Sequence, residues 1–361
     1  MSRRFWSEPV HQLKPYVPGE QPRRQQLIKL NTNESPYPPS PGVLQALQAI
    51  EGGDLMRYPD PTASELRETI ADRFALDSEQ VFVGNGSDEV LAHVFFALLN
   101  QPRDLLFPDI CYGFYPVWAQ LYGIRHREVP LREDFSIHAD DYDPAAASVI
   151  LPNPNAPTGL LLSLAELRVF LDASRDRLLV VDEAYVDFGG QSAATLLREY
   201  DNLLVVQTLS KSRALAGLRV GFALGSKELI EALLRVKDSF NSYPLDVVAQ
   251  RAASAALRDE DWYREHNDRV IASREYLAAA LARMDFEVLP SAANFLFVRH
   301  RRQPGRWLFD ELRERGILVR RWDKARIDDY LRISIGTQEQ VERVVAAFEE
   351  ILACSVEAAR V

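Results

Sequence analysis

Only six of the chain's 42 cationic side chains are lysines, at positions 14, 29, 211, 227, 237 and 324, so chemistry that needs a lysine amine has few candidates. One of them stands apart. Lys211 follows the apolar run Leu203 to Val206 in the sequence Thr208-Leu209-Ser210-Lys211, and Arg219 lies eight residues on, between Gly217 and Gly221. A small, hydroxyl-rich and glycine-rich setting around one Lys and one Arg suits a phosphate group with a carbonyl beside it. Upstream, Val180-Val181-Asp182-Glu183-Ala184-Tyr185 runs a buried-type strand straight into carboxylates. An acid at the carboxyl end of a parallel strand lies where open α/β sheets bind ligands.

Three further segments add polar groups of the right kind. Gly84-Asn85-Gly86-Ser87-Asp88-Glu89 reads as a strand-to-helix turn whose first-turn amides and helix dipole favour an anion. Asn153-Pro154-Asn155-Ala156-Pro157-Thr158-Gly159 is a proline-stiffened loop with preorganised amides. Tyr112, in Cys111-Tyr112-Gly113-Phe114-Tyr115, is an aromatic opening a helix. Singly, each segment also fits a plain structural role: a solvated loop acid, an ordinary N-cap, a turn, a core aromatic. In chain order they supply an aromatic face, an anion cradle, an acid, a tyrosine and a lone lysine.

The elements that must position these groups follow from periodicity. Apolar runs at Val81 to Val83, Ser148 to Leu151, Leu178 to Val181, Leu203 to Val206 and Gly221 to Leu224 alternate with helical stretches such as Asp88 to Leu99 and Leu164 to Ala173. Such short runs between helices predict a mostly parallel sheet buried on both faces, an α/β core. After about Asp238 come long helices, Asp261 to Met284 the longest, and strand candidates at Asn294 to Val298, Ile317 to Arg320 and Tyr330 to Ser334. The reading is an N-terminal arm over 1–40, a large α/β domain over 41–240 and a smaller α+β domain over 241–361.

At 361 residues and 47% hydrophobic content the chain can bury more than one domain's core. A formal charge of −10 argues against a non-specific grip on nucleic acid or anionic lipid. Cys111 and Cys354 have no metal-type spacing, the six histidines show no paired ligand spacing, and no segment reads as a signal peptide or membrane span. A cytoplasmic, metal-free protein is expected. Glu89 stands where a dinucleotide fingerprint needs its third glycine, which disfavours a nicotinamide oxidoreductase.

With Leu13-Lys14-Pro15-Tyr16, Leu30-Asn31-Thr32-Asn33-Glu34-Ser35-Pro36, Arg57-Tyr58-Pro59-Asp60, Asn241-Ser242-Tyr243, Ala293-Asn294-Phe295 and Leu331-Arg332-Ile333 added, the sequence resembles the fold-type-I pyridoxal-phosphate enzymes of the aspartate aminotransferase superfamily. It is most similar to the histidinol-phosphate aminotransferases, from about Leu13 to Leu352. The resemblance implies a mostly parallel seven-stranded sheet between helices and pyridoxal 5'-phosphate as cofactor. It implies that Lys211 carries the cofactor as a Schiff base and moves the substrate proton, that Asp182 pairs with the pyridine nitrogen, that Tyr185 bonds the ring oxygen and that Tyr112 stacks on the ring. Ser87, Asp88, Ser210 and Arg219 would hold the phosphate, joined by Tyr58 of the neighbouring subunit in a homodimer.

One position departs from the family pattern: the Asn that often precedes Pro-Thr-Gly is Ala156. Either Asn155 takes over its contact with the ring oxygen or the contact is missing, and Asn155 is the expectation. The implied substrates are L-histidinol phosphate with 2-oxoglutarate, giving imidazole acetol phosphate and glutamate. Arg332 is the main candidate for their anionic groups, supported by Arg320, Tyr16 and Asn33. An aromatic or broad-specificity 2-oxo acid aminotransferase is the alternative, followed by a threonine-phosphate decarboxylase or a non-catalytic pyridoxal-phosphate binder.

Overall fold

The computed structural model describes residues 3–21 and 27–358. Its centre is a seven-stranded sheet that meets the sequence expectation. After a short N-terminal strand β1 (Ile28–Lys29) come β2 (Val81–Asn85), β3 (Leu105–Pro108), β4 (His126–Val129), β5 (Ser148–Pro152), β6 (Leu178–Asp182), β7 (Leu203–Thr208) and β8 (Val220–Leu224). The seven are ordered β2-β8-β7-β6-β5-β3-β4. All neighbours are parallel except β8, which runs against both β2 and β7.

Strands β5 and β7 are buried along their whole length, as a sheet covered on both faces requires. Val149, Leu151, Val181, Val205 and Phe222 pack into one apolar cluster, while their alternating neighbours Ile150, Val180, Leu204, Val206 and Ala223 pack into another. The period-2 pattern thus fills both layers. Strands β5, β6 and β7 carry their carboxyl ends to one edge, where Pro152 pairs with Asp182 and Asp182 with Val206, two residues before Thr208.

A second sheet of β9 (Phe286–Val288), β10 (Phe295–His300) and β12 (Leu331–Ser334) is antiparallel, in the order β12-β10-β9. Between them in sequence, β11 (Ile317–Leu318) pairs instead with β1 of the N-terminal segment, in parallel, and Arg320 bridges to Arg332. Ile28 and Leu30 accordingly pack with Leu277, Val298, Ile333 and Phe348 in a third cluster. Helix Val247–Arg258 packs on the other side, its Ala249, Ala252 and Ala256 sharing a cluster with Val43, Leu66 and Ile70.

Local differences from the sequence reading have physical causes. The helix expected from Asp88 begins at Gly86 and gives way to a wider π-type turn over Phe95–Leu99. Tyr112 precedes its helix, which spans Tyr115–Leu121 with Pro116 in the first turn, where its missing N–H costs nothing. The opening segment contains a short helix, Glu8–Gln12, besides β1.

Candidate active site

The carboxyl ends of β6 and β7, the turn after β2 and the loop after β3 enclose a cleft of about 290 Å³. Its lining includes Ser87, Asp88, Tyr112, Asp182, Tyr185, Ser210, Lys211 and Arg219. Eight residues singled out from sequence, drawn from four separate segments, therefore meet in one place.

At one end lies Asp182, buried at the tip of β6. The Tyr115 hydroxyl donates to its Oδ2 at 2.9 Å, while Oδ1 is buried without a partner. Burial pushes the carboxyl up to about 6, although Tyr115 and the Ala184 amide pull it back. A half-satisfied buried carboxylate is costly unless a donor faces it. Tyr115 was missed in the sequence, where a tyrosine among Phe114 and Trp118 looks like core packing; its place three residues beyond Tyr112, at the start of the helix, was the available signal.

At the other end, Gly86 adopts φ +79°, which a glycine tolerates, and starts helix Gly86–Val94. Its N-cap, Asn85, makes no side-chain capping bond, so the first-turn amides keep their donors. A Cβ on Gly221 of β8 would collide with the backbone of Gly86 and Ser87, and one on Gly86 would collide with the Arg219 guanidinium. Both glycines are needed for strand, helix start and arginine to close up. Arg219 meets the Asp88 carboxylate at 3.0 Å, and the Tyr112 hydroxyl donates to the other Asp88 oxygen at 2.7 Å. The Asp88 side chain is thereby committed to aiming Arg219 and Tyr112, and its backbone N–H, not its carboxylate, suits an anion. Across the cradle, Ser210 Oγ lies 3.0 Å from Thr208 Oγ1, a cleft-lining residue the sequence reading did not select.

Lys211 lines the same cleft. Its ammonium donates to Thr32 O at 3.3 Å and lies 5.9 Å from the centre of the Tyr185 ring. Burial and the nearby Arg332 charge pull its pKa down to about 8, against the opposing pull of Glu34 and Asp88. An amine poised there is a usable nucleophile and proton carrier near neutral pH.

The four substrate candidates, Arg332, Arg320, Tyr16 and Asn33, are not among the residues that line this cleft. Arg332 donates to Asn31 O at 2.8 Å, and its buried Nε has no partner. Its guanidinium lies between Phe295 and Trp322, 5.4 and 5.3 Å from the ring centres. Arg320 stands over the same Trp322 and holds Val17 O, while Tyr16 stacks on Phe114 at 4.3 Å beside Tyr112. Asn33 donates to the Tyr185 hydroxyl at 3.0 Å.

One cofactor-site expectation, Asn155, is not met at the cleft, and Tyr58 is expected at the neighbouring subunit's cleft. Asn155 is turned into its own loop: its amide donates to Ile110 O and Thr158 Oγ1, at 3.1 and 2.9 Å, and Ala156 lines the cleft in its place. The stiff proline loop spends the asparagine on its own geometry, so the expected takeover at Ala156 does not occur. Tyr58 is 82% exposed, stacked on Tyr243 at 4.7 Å, and does not line its own chain's cleft.

The residues fit pyridoxal phosphate: an orphaned carboxylate oxygen for a protonated ring nitrogen, uncapped amides with an arginine for a phosphate, and a lysine lining the same cleft. Comparisons with known proteins agree. Residues 25–348 match the model of the family aminotransferase class I and II. The chain is 57% identical to histidinol-phosphate aminotransferase 1 of Bradyrhizobium diazoefficiens, over 97% of this chain and 99% of that protein. It is 54% identical to histidinol-phosphate aminotransferase 1 of Hydrogenovibrio crunogenus, over 96% and 98%. The crystal structure of histidinol-phosphate aminotransferase from Sinorhizobium meliloti in complex with pyridoxal-5'-phosphate superposes with a TM-score of 0.88 at 25% identity, covering 98% of this chain and 99% of that one. The chain belongs to the class I and II aminotransferases and, within them, to the histidinol-phosphate aminotransferase family.

Proposed function

We propose that this pyridoxal-phosphate-dependent aminotransferase interconverts L-histidinol phosphate plus 2-oxoglutarate with imidazole acetol phosphate plus L-glutamate, a step of histidine biosynthesis. The observation that carries the substrate assignment is the identity of 54% to 57%, over nearly the whole chain, to relatives that bear the histidinol-phosphate aminotransferase name. The cofactor, when bound, supplies an electrophilic carbonyl and an electron sink.

The chain's own residues have separable tasks. Lys211, neutral in part near pH 8, provides the amine that holds the cofactor and moves the proton at substrate Cα. Asp182, fixed by Tyr115, would keep the ring nitrogen protonated. Tyr185 would donate to the ring oxygen, and Tyr112 would cover the ring face. The Ser87 and Asp88 amides, Ser210 and Arg219 take the phosphate, with the Asp88 carboxylate aiming Arg219. Arg332 binds the substrate's carboxylate or phosphate through a fork that suits either anion, aided by Arg320, Tyr16 and Asn33.

The active unit is a homodimer in which Tyr58 reaches the phosphate of the neighbouring subunit. In support, Leu55, Met56, Tyr58 and Phe240 are all more than 60% exposed on two adjoining segments, an apolar surface that a second copy would cover. The packing of Val247–Arg258 and Ile28–Lys29 favours dividing the two domains near Asp259, with the arm's strand on the C-terminal side. No described helix is long and apolar enough to cross a membrane, and a cytoplasmic setting fits the two free cysteines.

The substrate assignment is tested by steady-state rates of the loaded enzyme with 2-oxoglutarate as acceptor and histidinol phosphate, phenylalanine or tyrosine as donor. Histidinol phosphate should give the highest kcat/KM. If an aromatic amino acid is faster by about tenfold or more, roughly 1.4 kcal/mol of transition-state preference, the aromatic aminotransferase reading replaces it.

A further inference from the structure

The loss of the usual asparagine at Ala156 leaves the Tyr185 hydroxyl as the candidate donor to the cofactor's ring oxygen on that side of the cleft. A tyrosine hydroxyl has one proton, and what surrounds it decides where that proton points. Here the surroundings are specific. Asn33 is 1% exposed and held in the left-handed region at φ 55°, a conformation asparagine tolerates better than most residues. Its backbone N–H donates to Ser334 Oγ at 2.9 Å, and Ser334 Oγ donates back to Asn33 Oδ1 at 2.7 Å. The Asn33 carbonyl is held in turn by the Asn294 amide at 3.0 Å.

This reciprocal pair fixes the amide's orientation. If the Asn33 side chain were flipped, Nδ2 would face Ser334, and the serine's buried proton would lose the acceptor it has. With Oδ1 on Ser334, Nδ2 must face Tyr185, to whose hydroxyl it donates at 3.0 Å. The Tyr185 oxygen then accepts from Asn33, and its own proton can only be offered elsewhere.

We propose that Ser334 and Asn33 are positioning residues that force the Tyr185 hydroxyl to act as a donor into the cleft, replacing the hydrogen bond that an asparagine at position 156 would give. The charged and titratable groups that face Tyr185 are Arg332, Asp182, Asp88 and Lys211, none of which lies in the hydrogen-bonded chain from Ser334 to the hydroxyl. The inference rests on the reading above that Tyr185 faces the cofactor's ring oxygen.

The test is a spectrophotometric pH titration of the cofactor-loaded protein. Donation to the ring oxygen favours its deprotonated form, so loss of the donor raises the titration midpoint. Asn33→Asp keeps the shape but has no N–H to give and accepts the tyrosine proton instead. It should raise the midpoint by about one pKa unit, as a hydrogen bond to a charged group is worth. Tyr185→Phe should raise it comparably. In the Tyr185→Phe background Asn33→Asp should add little, which separates hydroxyl orientation from the charge of the new carboxylate. A full-sized shift in both backgrounds, or none from Asn33→Asp alone while Tyr185→Phe shifts, overturns the inference. If Tyr185→Phe itself leaves the midpoint unmoved, the underlying placement of Tyr185 fails instead. Should Asn33→Asp not load cofactor, Ser334→Ala serves: it frees the amide to rotate and should raise the midpoint in the same direction, and an unmoved midpoint counts against the inference.

Discussion

Asp182→Asn should push the empty and loaded forms of the protein in opposite directions. In the structure the carboxyl is buried, its Oδ2 bonded to Tyr115 and its Oδ1 bare, and it titrates at about 6 in place of 3.8. A folded-state pKa raised above the unfolded value stabilises the fold fully below about pH 4 and loses that stabilisation as pH rises through 6. The ionised side chain therefore costs the cofactor-free protein up to about 3 kcal/mol at pH 8, and about 1 kcal/mol of that cost appears between pH 5 and pH 6. An asparagine keeps the Tyr115 bond and carries no charge. Urea unfolding of the cofactor-free proteins should show Asp182→Asn gaining on the wild type by about 1.4 kcal/mol more at pH 8 than at pH 5. Once loaded, the balance reverses, because the carboxylate's partner is then a protonated ring nitrogen. Losing one charge-assisted bond of about 1.5 to 3 kcal/mol should weaken cofactor affinity roughly 10- to 100-fold, and turnover should fall by about a hundredfold or more. A variant whose stability gain is the same at both pH values, or which binds cofactor as well as the wild type, would refute the assignment of Asp182.

Gly86→Ala should lower cofactor affinity by about tenfold or more in a fluorescence titration, because the new Cβ meets the Arg219 guanidinium at a backbone φ of +79°; unchanged affinity would show that Arg219 does not depend on that approach. The rate of cofactor reconstitution should rise with pH and level off above about 8, since only the neutral Lys211 amine can attack a carbonyl; a stopped-flow profile flat from pH 6 to 9 would contradict the depressed lysine. Asn155→Ala should destabilise the fold by about 1 to 3 kcal/mol through its lost bonds to Ile110 and Thr158 yet leave the cofactor's absorbance titration in place, and a shifted titration would return Asn155 to the cofactor.

The sheet was legible where its strands are continuous apolar runs, and the site was legible where those runs end in polar groups: β6 ends in Asp182 and β7 in Thr208, just ahead of Ser210 and Lys211. Strands β3 and β4 were not read. The first is buried throughout but offers only three apolar residues before Pro108, and the second, at the sheet's edge, exposes Arg127 and Glu128 and so lacks the buried pattern. The pairing of β11 with β1 joins residues nearly 290 positions apart, and nothing local in Ile317-Leu318 announces a partner. Side-chain direction was equally hidden. A sequence places Asn155 beside Ala156 but not which of them faces the cleft, and it offers Tyr115 as one aromatic among several rather than as the residue that holds Asp182.

If Lys211 is the one lysine of six that holds the cofactor, borohydride reduction of the loaded protein followed by peptide mass spectrometry shows it directly. The expected result is a pyridoxyl-phosphate adduct on the peptide containing Lys211 and none on the other lysine-bearing peptides, with the visible absorbance band abolished in Lys211→Ala. An adduct at another lysine, or a band that persists in Lys211→Ala at wild-type strength, would contradict it.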